Sequence, residues 1–253
     1  VGYHSITVQE FRRPEFEVST EVTSAEPHML QGSATVKASA VYYAGGSLAG
    51  AEVDWQVSAT ASAYTPPGRA DFTFGRWTPW RNMGPWWITP YNPGSHHSFQ
   101  GRANSDGEHS LEMGFVQMFP PQPTTVTATA SVADVNRQQR SGSSTVLVHP
   151  SARYVGLKTE KSFVDDKSGF VLDAIVTDID GNMLMGVPIS VTLLEIGYDY
   201  DENGNYREIE KIAQKITVRS AEAPVKIELS PPRGGSYRIR AEVTDEQGRL
   251  NRT

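Results

Sequence analysis

Polar and apolar residues alternate with period two along most of the chain, and helical periodicity is hard to find. Thr35–Tyr43 reads Thr-Val-Lys-Ala-Ser-Ala-Val-Tyr-Tyr, and Ala51, Val53, Trp55 and Val57 fall on one face of a single run. Val126, Ala128, Ala130 and Val132 alternate with threonine and serine, and similar runs follow at Val187–Leu194, Val225–Leu229 and Tyr237–Val243. A half-buried strand has this pattern, because successive side chains point to opposite faces. Turn-forming clusters separate the runs: Ala44-Gly45-Gly46, Asp106-Gly107, Asp180-Gly181-Asn182, Asn203-Gly204 and Pro231–Gly235. Short strands at this spacing predict an all-β protein built as a sandwich.

The chain also resembles itself. Shifted by about 136 positions, Gly45, Leu48, Gly50, Val53, Trp55 and Val57 fall on Gly181, Leu184, Gly186, Ile189, Val191 and Leu193. Further on, Ala130-Ser131-Val132-Ala133-Asp134 matches Ala241-Glu242-Val243-Thr244-Asp245 at a shorter offset. An insertion in the first copy accounts for the drop. Two tandem antiparallel sandwiches are therefore expected, with a boundary near Val148-His149-Pro150-Ser151 and bending at that linker.

The insertion is expected at residues 63–105, which are rich in proline, glycine and aromatics and spaced for neither helix nor strand. The second copy has a long hairpin there instead, around Tyr198–Tyr206. His4–Glu10 alternates like the last strand of a preceding domain. The first copy ends in a strand at Ser143–Val148, which the second copy, stopping at Asn251-Arg252-Thr253, is expected to lack. The expected division is thus 1–13 as the end of a preceding domain and junction, 14–150 as the first sandwich, and 151–253 as the second without its last strand.

Composition narrows the chemistry. The 253 residues include no cysteine, which removes disulfides, thiol nucleophiles and thiolate metal sites together. A net charge of −6 argues against nucleic acid or an anionic membrane surface as partner. No apolar run reaches the roughly 20 residues a membrane helix needs. Val1 follows neither a start methionine nor a signal peptide, as in a processed product or fragment, and export stays compatible with the sequence.

Val8-Gln9-Glu10-Phe11-Arg12-Arg13-Pro14-Glu15-Phe16-Glu17-Val18 resembles the junction between successive macroglobulin-like domains of the alpha-2-macroglobulin family. Val41-Tyr42-Tyr43 through Gly50-Ala51-Glu52-Val53 resembles the Tyr-x-x-Gly-x-x-Leu/Val-x-Gly stretch of the domain that follows such a junction. Asp134-Val135-Asn136-Arg137-Gln138, Val148-His149-Pro150, Tyr154-Val155-Gly156-Leu157 and Asp178-Ile179-Asp180-Gly181-Asn182 with Gly186-Val187-Pro188 look like the bacterial branch. The resemblance implies tandem macroglobulin-like sandwiches of the fibronectin/immunoglobulin kind, from the amino-terminal half of a protease trap. In that family a protease cleaves a bait segment, the molecule collapses around it, and many members bond to it through a thioester. The thioester needs a cysteine, so that step cannot occur here, and no bait segment is identifiable. The implied role is a non-enzymatic scaffold whose partners are neighbouring domains of the parent chain and, through the parent, target proteases. The implied place is the periplasm or cell envelope, with the parent anchored as a lipoprotein.

Local motifs supply competing readings. Asp199-Tyr200-Asp201-Glu202-Asn203-Gly204 through Glu210 matches a calcium-loop pattern, with Asp199, Asp201, Asn203 and Glu210 as oxygen ligands. Its flanks read as strands rather than helices, which favours a hairpin tip turning at Asn203-Gly204 and no cofactor. Among His4, His28, His96, His97, His109 and His149, adjacent His96 and His97 point to opposite strand faces, so solvated loop histidines are expected rather than a metal site. No nucleophile elbow or phosphate-binding glycine loop occurs, and no catalytic residue is assigned. Trp77, Trp80, Trp86, Trp87 and Tyr91 form the candidate interaction surface. They would serve the alternative reading, a bacterial adhesin or carbohydrate-binding module. The favoured expectation is that the insertion folds onto its own sandwich or fills a domain interface.

Overall fold

Alternating burial is plainest in the third strand, where Ala34, Val36, Ala38 and Ala40 are buried and Thr35, Lys37 and Ser39 are not. The computed structural model describes residues 15–75, 95–116, 121–159, 168–200 and 206–253, and every regular element among them is a strand. The first sandwich comprises β1 (Phe16–Val22), β2 (His28–Met29), β3 (Ser33–Tyr42), β4 (Glu52–Ala61), β5 (Ser95–Arg102), β6 (Glu108–Gly114), β7 (Thr124–Ala133) and β8 (Gln139–His149). A three-stranded sheet, β1-β3-β6, packs on a five-stranded sheet, β2-β8-β7-β4-β5. Between them lie Phe16, Val36, Val53, Trp55, Val132 and Val148.

The second sandwich comprises β9 (Tyr154–Lys158), β10 (Phe170–Thr177), β11 (Pro188–Tyr200), β12 (Tyr206–Arg219), β13 (Val225–Leu229), β14 (Ser236–Thr244) and β15 (Leu250–Arg252). Its sheets are β13-β10-β9 and β12-β11-β14-β15, enclosing Leu172, Ile189, Val191, Leu193 and Leu229. The last strand is present in short form: Leu250–Arg252 pairs with Glu242–Thr244, where β8 of the first sandwich runs for 11 residues. All-β tandem sandwiches are thus the observed architecture.

Hydrogen bonds repeat with the sequence. Gly45 N bonds to Tyr42 O and Gly181 N to Asp178 O; Leu48 N bonds to Ala40 O and Leu184 N to Val176 O. Isolated bridges Val41–Ser47 and Thr177–Met183 follow the same shift of 136 (Gly45 to Gly181). Four turns share one local design. Asn104, Asp134, Asp178 and Asp245 each accept, on a side-chain oxygen, the backbone N–H four residues on. The residue before that donor has positive φ: Gly107, Arg137, Gly181 or Gly248. A short carboxylate or amide mimics the backbone there and stabilises a left-handed residue.

The insertion is shorter than its composition indicates. Residues 95–102 form β5, hydrogen-bonded to β4 as β12 is to β11. The sequence expectation of 63–105 therefore included a strand, whose Ser-His-His-Ser-Phe-Gln-Gly-Arg composition hides it because it faces solvent on its described residues.

Candidate functional site: a strap across two sandwiches

β9 lacks the alternation seen in β3 and β7: Tyr154, Val155, Gly156 and Leu157 are all buried, and so are Ala174, Ile175, Val176 and Thr177 of its neighbour β10. A strand buried on both faces must be covered twice. Val155, Leu157, Ala174 and Val176 face the core of the second sandwich. Tyr154 and Ile175 face the other way and pack with Phe74, Tyr64, Phe72, Ile179 and Met183. The covering residues 64, 72 and 74 come from the first sandwich, from the connection leaving β4.

This strap is held by backbone and side-chain bonds. Thr73 and Leu157 exchange both backbone hydrogen bonds, at 2.8 and 2.9 Å, giving the edge of β9 a partner. Tyr64 donates its hydroxyl to Ile179 O at 2.6 Å, and Arg69 donates Nε–H to Gly181 O at 2.9 Å. Gly75 N bonds to Thr253 Oγ1, whose hydroxyl donates to Val155 O at 2.6 Å. Lys158 pairs with Asp71 and lies over the Phe72 ring. Gly156 leaves room for the Phe74 ring: a β-carbon there would stand 2.6 Å from it and displace it.

The linker itself is packed, not free. His149 and Ser151 are buried, and Ser151 Oγ accepts Arg153 N–H at 3.1 Å. Ala152 N donates to Asp245 Oδ2 at 3.0 Å, so the turn between β14 and β15 grips the linker. Arg249 Nε lies 2.7 Å from the same carboxylate oxygen. Burial alone would raise the Asp245 pKa, but the bonds from Ala152 and Arg249 hold it below the ordinary carboxyl value. Arg153 reaches Thr244 O and Glu246 at 3.1 Å. Residues 152 and 153, just after the expected hinge at Val148–Ser151, are therefore anchored to the second sandwich by residues about 90 positions away, contacts that sequence proximity does not reveal.

An aromatic cluster caps the junction. His149 Nδ1 lies 2.8 Å from the Tyr154 hydroxyl. Tyr64 stands perpendicular to His149, with ring centroids 4.7 Å apart, and 5.2 Å from Tyr154. Burial pushes the Tyr154 hydroxyl pKa well above its usual value and that of Tyr64 less far, with Asp180 and Asp178 adding to the latter. Burial lowers the pKa of His149; Glu26 opposes the shift and His28 reinforces it.

Trp77, Trp80, Trp86, Trp87 and Tyr91 lie outside the described residues, as do Asp201 and Asn203. Asp199 pairs with Arg207 and Glu210 with Ile196 along the β11–β12 ribbon, an odd spacing that puts them on opposite faces. Glu210 is instead bound by Arg238 and Arg240. Burial would raise its pKa, but those two arginines lower it. Among the described residues no cluster of histidine and carboxylate side chains is placed to hold a metal. Three histidines are not solvated loop residues as expected. His28 and His149 are buried, and His109 on β6 accepts the indole N–H of fully buried Trp55 at 3.0 Å. Their strands cross the core margin, which a local window does not register. The one sequence signal for the strap site was the unbroken apolar run at Ala174-Ile175-Val176, which breaks period two.

No protein-family model matches the chain. Over 97% of its length it is 27% identical to an alpha-2-macroglobulin homolog of Nostoc sp. (strain PCC 7120 / SAG 25.82 / UTEX 2576), of which it spans 13%. It is 29% identical over 77% of its length to circularly permutated Ras protein 2 of Dictyostelium discoideum, spanning 5% of that protein. Its fold matches Escherichia coli alpha-2-macroglobulin activated by porcine elastase with a TM-score of 0.66 at 16% identity, over 96% of this chain and 22% of that one. The native conformation of the E. coli protein matches at 0.62 and 14% identity, over 94% of this chain and 16% of that one. The resemblance to the bacterial alpha-2-macroglobulin family thus extends along almost the whole chain.

Proposed function

We propose that the chain is a non-enzymatic scaffold segment of a bacterial alpha-2-macroglobulin-like protease inhibitor, exported to the periplasm or cell envelope. Its two sandwiches act as one rigid spacer that positions neighbouring domains of a longer chain while a protease is enclosed. The strap carries this reading. It spans from β4 of the first sandwich to β9 of the second, so the pair moves together rather than about a free linker. The similarity to a much longer alpha-2-macroglobulin homolog supports a place within such a parent.

The test uses the intact parent, with this chain as control. Each is incubated with a broad-specificity protease, followed by cleavage assays on a large protein and on a small peptide. Enclosure blocks the large substrate and spares the peptide, and the isolated chain does neither. Undiminished cleavage of both substrates by the parent-treated protease overturns the reading.

A further inference from the structure

At the junction, two imidazoles are buried on the neighbouring strands β2 and β8, and the exposed carboxylate of Glu26 acts on His149 with the opposite sign to His28. His149 ends β8 and His28 begins β2, which pairs with β8 in parallel, Met29 opposite His149. His28 and His149 are only 3% and 7% exposed, and His28 Nε2 has no hydrogen-bond partner. Leu30 N donates to His149 O at 2.9 Å, which fixes the backbone under the ring. The titratable groups facing His149 are Glu26 and His28 from the first sandwich, Tyr154 from β9 and Tyr64 from the strap; Asp178 and Asp180 act on Tyr64 from beyond it. Glu26 is exposed, so water and salt screen its help to a cation at His149.

We propose that the junction is an acid-released latch: protonation of His149 breaks the bond pattern with Tyr154 and frees Tyr64 and the strap, unlocking the two sandwiches. With the proton of the neutral imidazole on Nε2, the Tyr154 hydroxyl donates to the lone pair on Nδ1. A proton on Nδ1 turns that nitrogen into a donor. Tyr154 must then accept, and its own proton loses its partner inside a site where Tyr154 is 1% exposed. The loss of water opposes the new cation, and His28 on the paired strand adds to that opposition. Tyr64 touches both rings, so it is the side chain that must move when they part. Its hydroxyl bond to Ile179 then breaks, and the Thr73–Leu157 pairing follows at the strap's other end.

Amide hydrogen exchange on the 253-residue chain tests the latch. Rates at pH 7.5 and 5.5 are corrected for intrinsic chemistry. The amides of Thr73 and Leu157 are expected to lose at least tenfold protection at pH 5.5, while those of Val132 and Val243 in the two cores keep theirs. His149→Gln retains an acceptor for Tyr154 without titrating, and its strap protection is expected to be independent of pH. Unchanged strap protection in the unsubstituted chain overturns the proposal. So does a loss that persists in H149Q, including one that disappears only in H28Q. Should H149Q not fold, the imidazole resonances of the unsubstituted chain decide. A His149 midpoint at or above that of free histidine overturns the latch, and a depressed midpoint coinciding with strap release supports it.

Discussion

The carbonyl oxygen of Pro67 occupies the space above Gly181, where a β-carbon would stand only 2.0 Å from it. Gly181 has φ of 85° and closes the Asp178 turn of the second sandwich, while Pro67 belongs to the strap from the first. One glycine thus serves both a turn and a domain contact. Gly181→Ala combines a left-handed penalty of about 1–2 kcal/mol with a backbone clash. The expected result is a fall of several degrees in Tm together with faster exchange at Thr73, read by calorimetry and hydrogen exchange. An unchanged strap would contradict the contact.

Phe74→Ala tests the apolar half of the strap. Phe74 is 9% exposed and lies 6.5 Å from Tyr154, centroid to centroid. Removing a buried phenyl ring costs about 3 kcal/mol. The loss should appear as early unfolding of the junction, with the two sandwiches melting separately in a thermal scan. A single unshifted transition would count against the strap as a rigid clamp.

The Asp245 turn predicts a pH dependence. The folded carboxyl is held below its ordinary value of 3.8, so its contribution is complete above that pH and drains away as pH falls below it. Asp245→Asn should remove about 1.5–3 kcal/mol near neutral pH, the range for hydrogen bonds to a charged group, and flatten the acid limb of the stability curve. His149 works in the same direction at higher pH. Its folded pKa lies below 6.5, so its contribution is complete above 6.5 and is lost as pH drops from there. Urea unfolding at a series of pH values separates the two windows.

Trp55 and His109 predict a coupled pair. His109→Ala leaves the indole N–H of Trp55 without its partner in a fully buried position, a cost of about 1–3 kcal/mol. Trp55→Phe removes the donor but opens a cavity. The double substitution should cost less than the sum of the two, and a double-mutant cycle measures the difference. Strict additivity would mean that the bond contributes nothing.

Much of the fold was written locally. Period two in Thr35–Tyr43 and Thr125–Ala133, and the glycine turns at Gly45 and Gly181, determine strands and reversals from residues within a few positions of one another. The self-similarity between Gly45–Val57 and Gly181–Leu193 carried the two sandwiches, because equivalent hydrogen bonds recur at the same shift. The candidate site was not legible in that way. Whether His149 is buried depends on Tyr64 and Tyr154, and whether Asp245 grips the linker depends on Ala152. Asp199 and Glu210 had matching spacing, but the strand pleat separated them. Local alternation and turn chemistry are properties of the chain by itself. Burial, pairing across the strap and the electrostatics of His149 exist only once segments far apart in sequence have excluded water together.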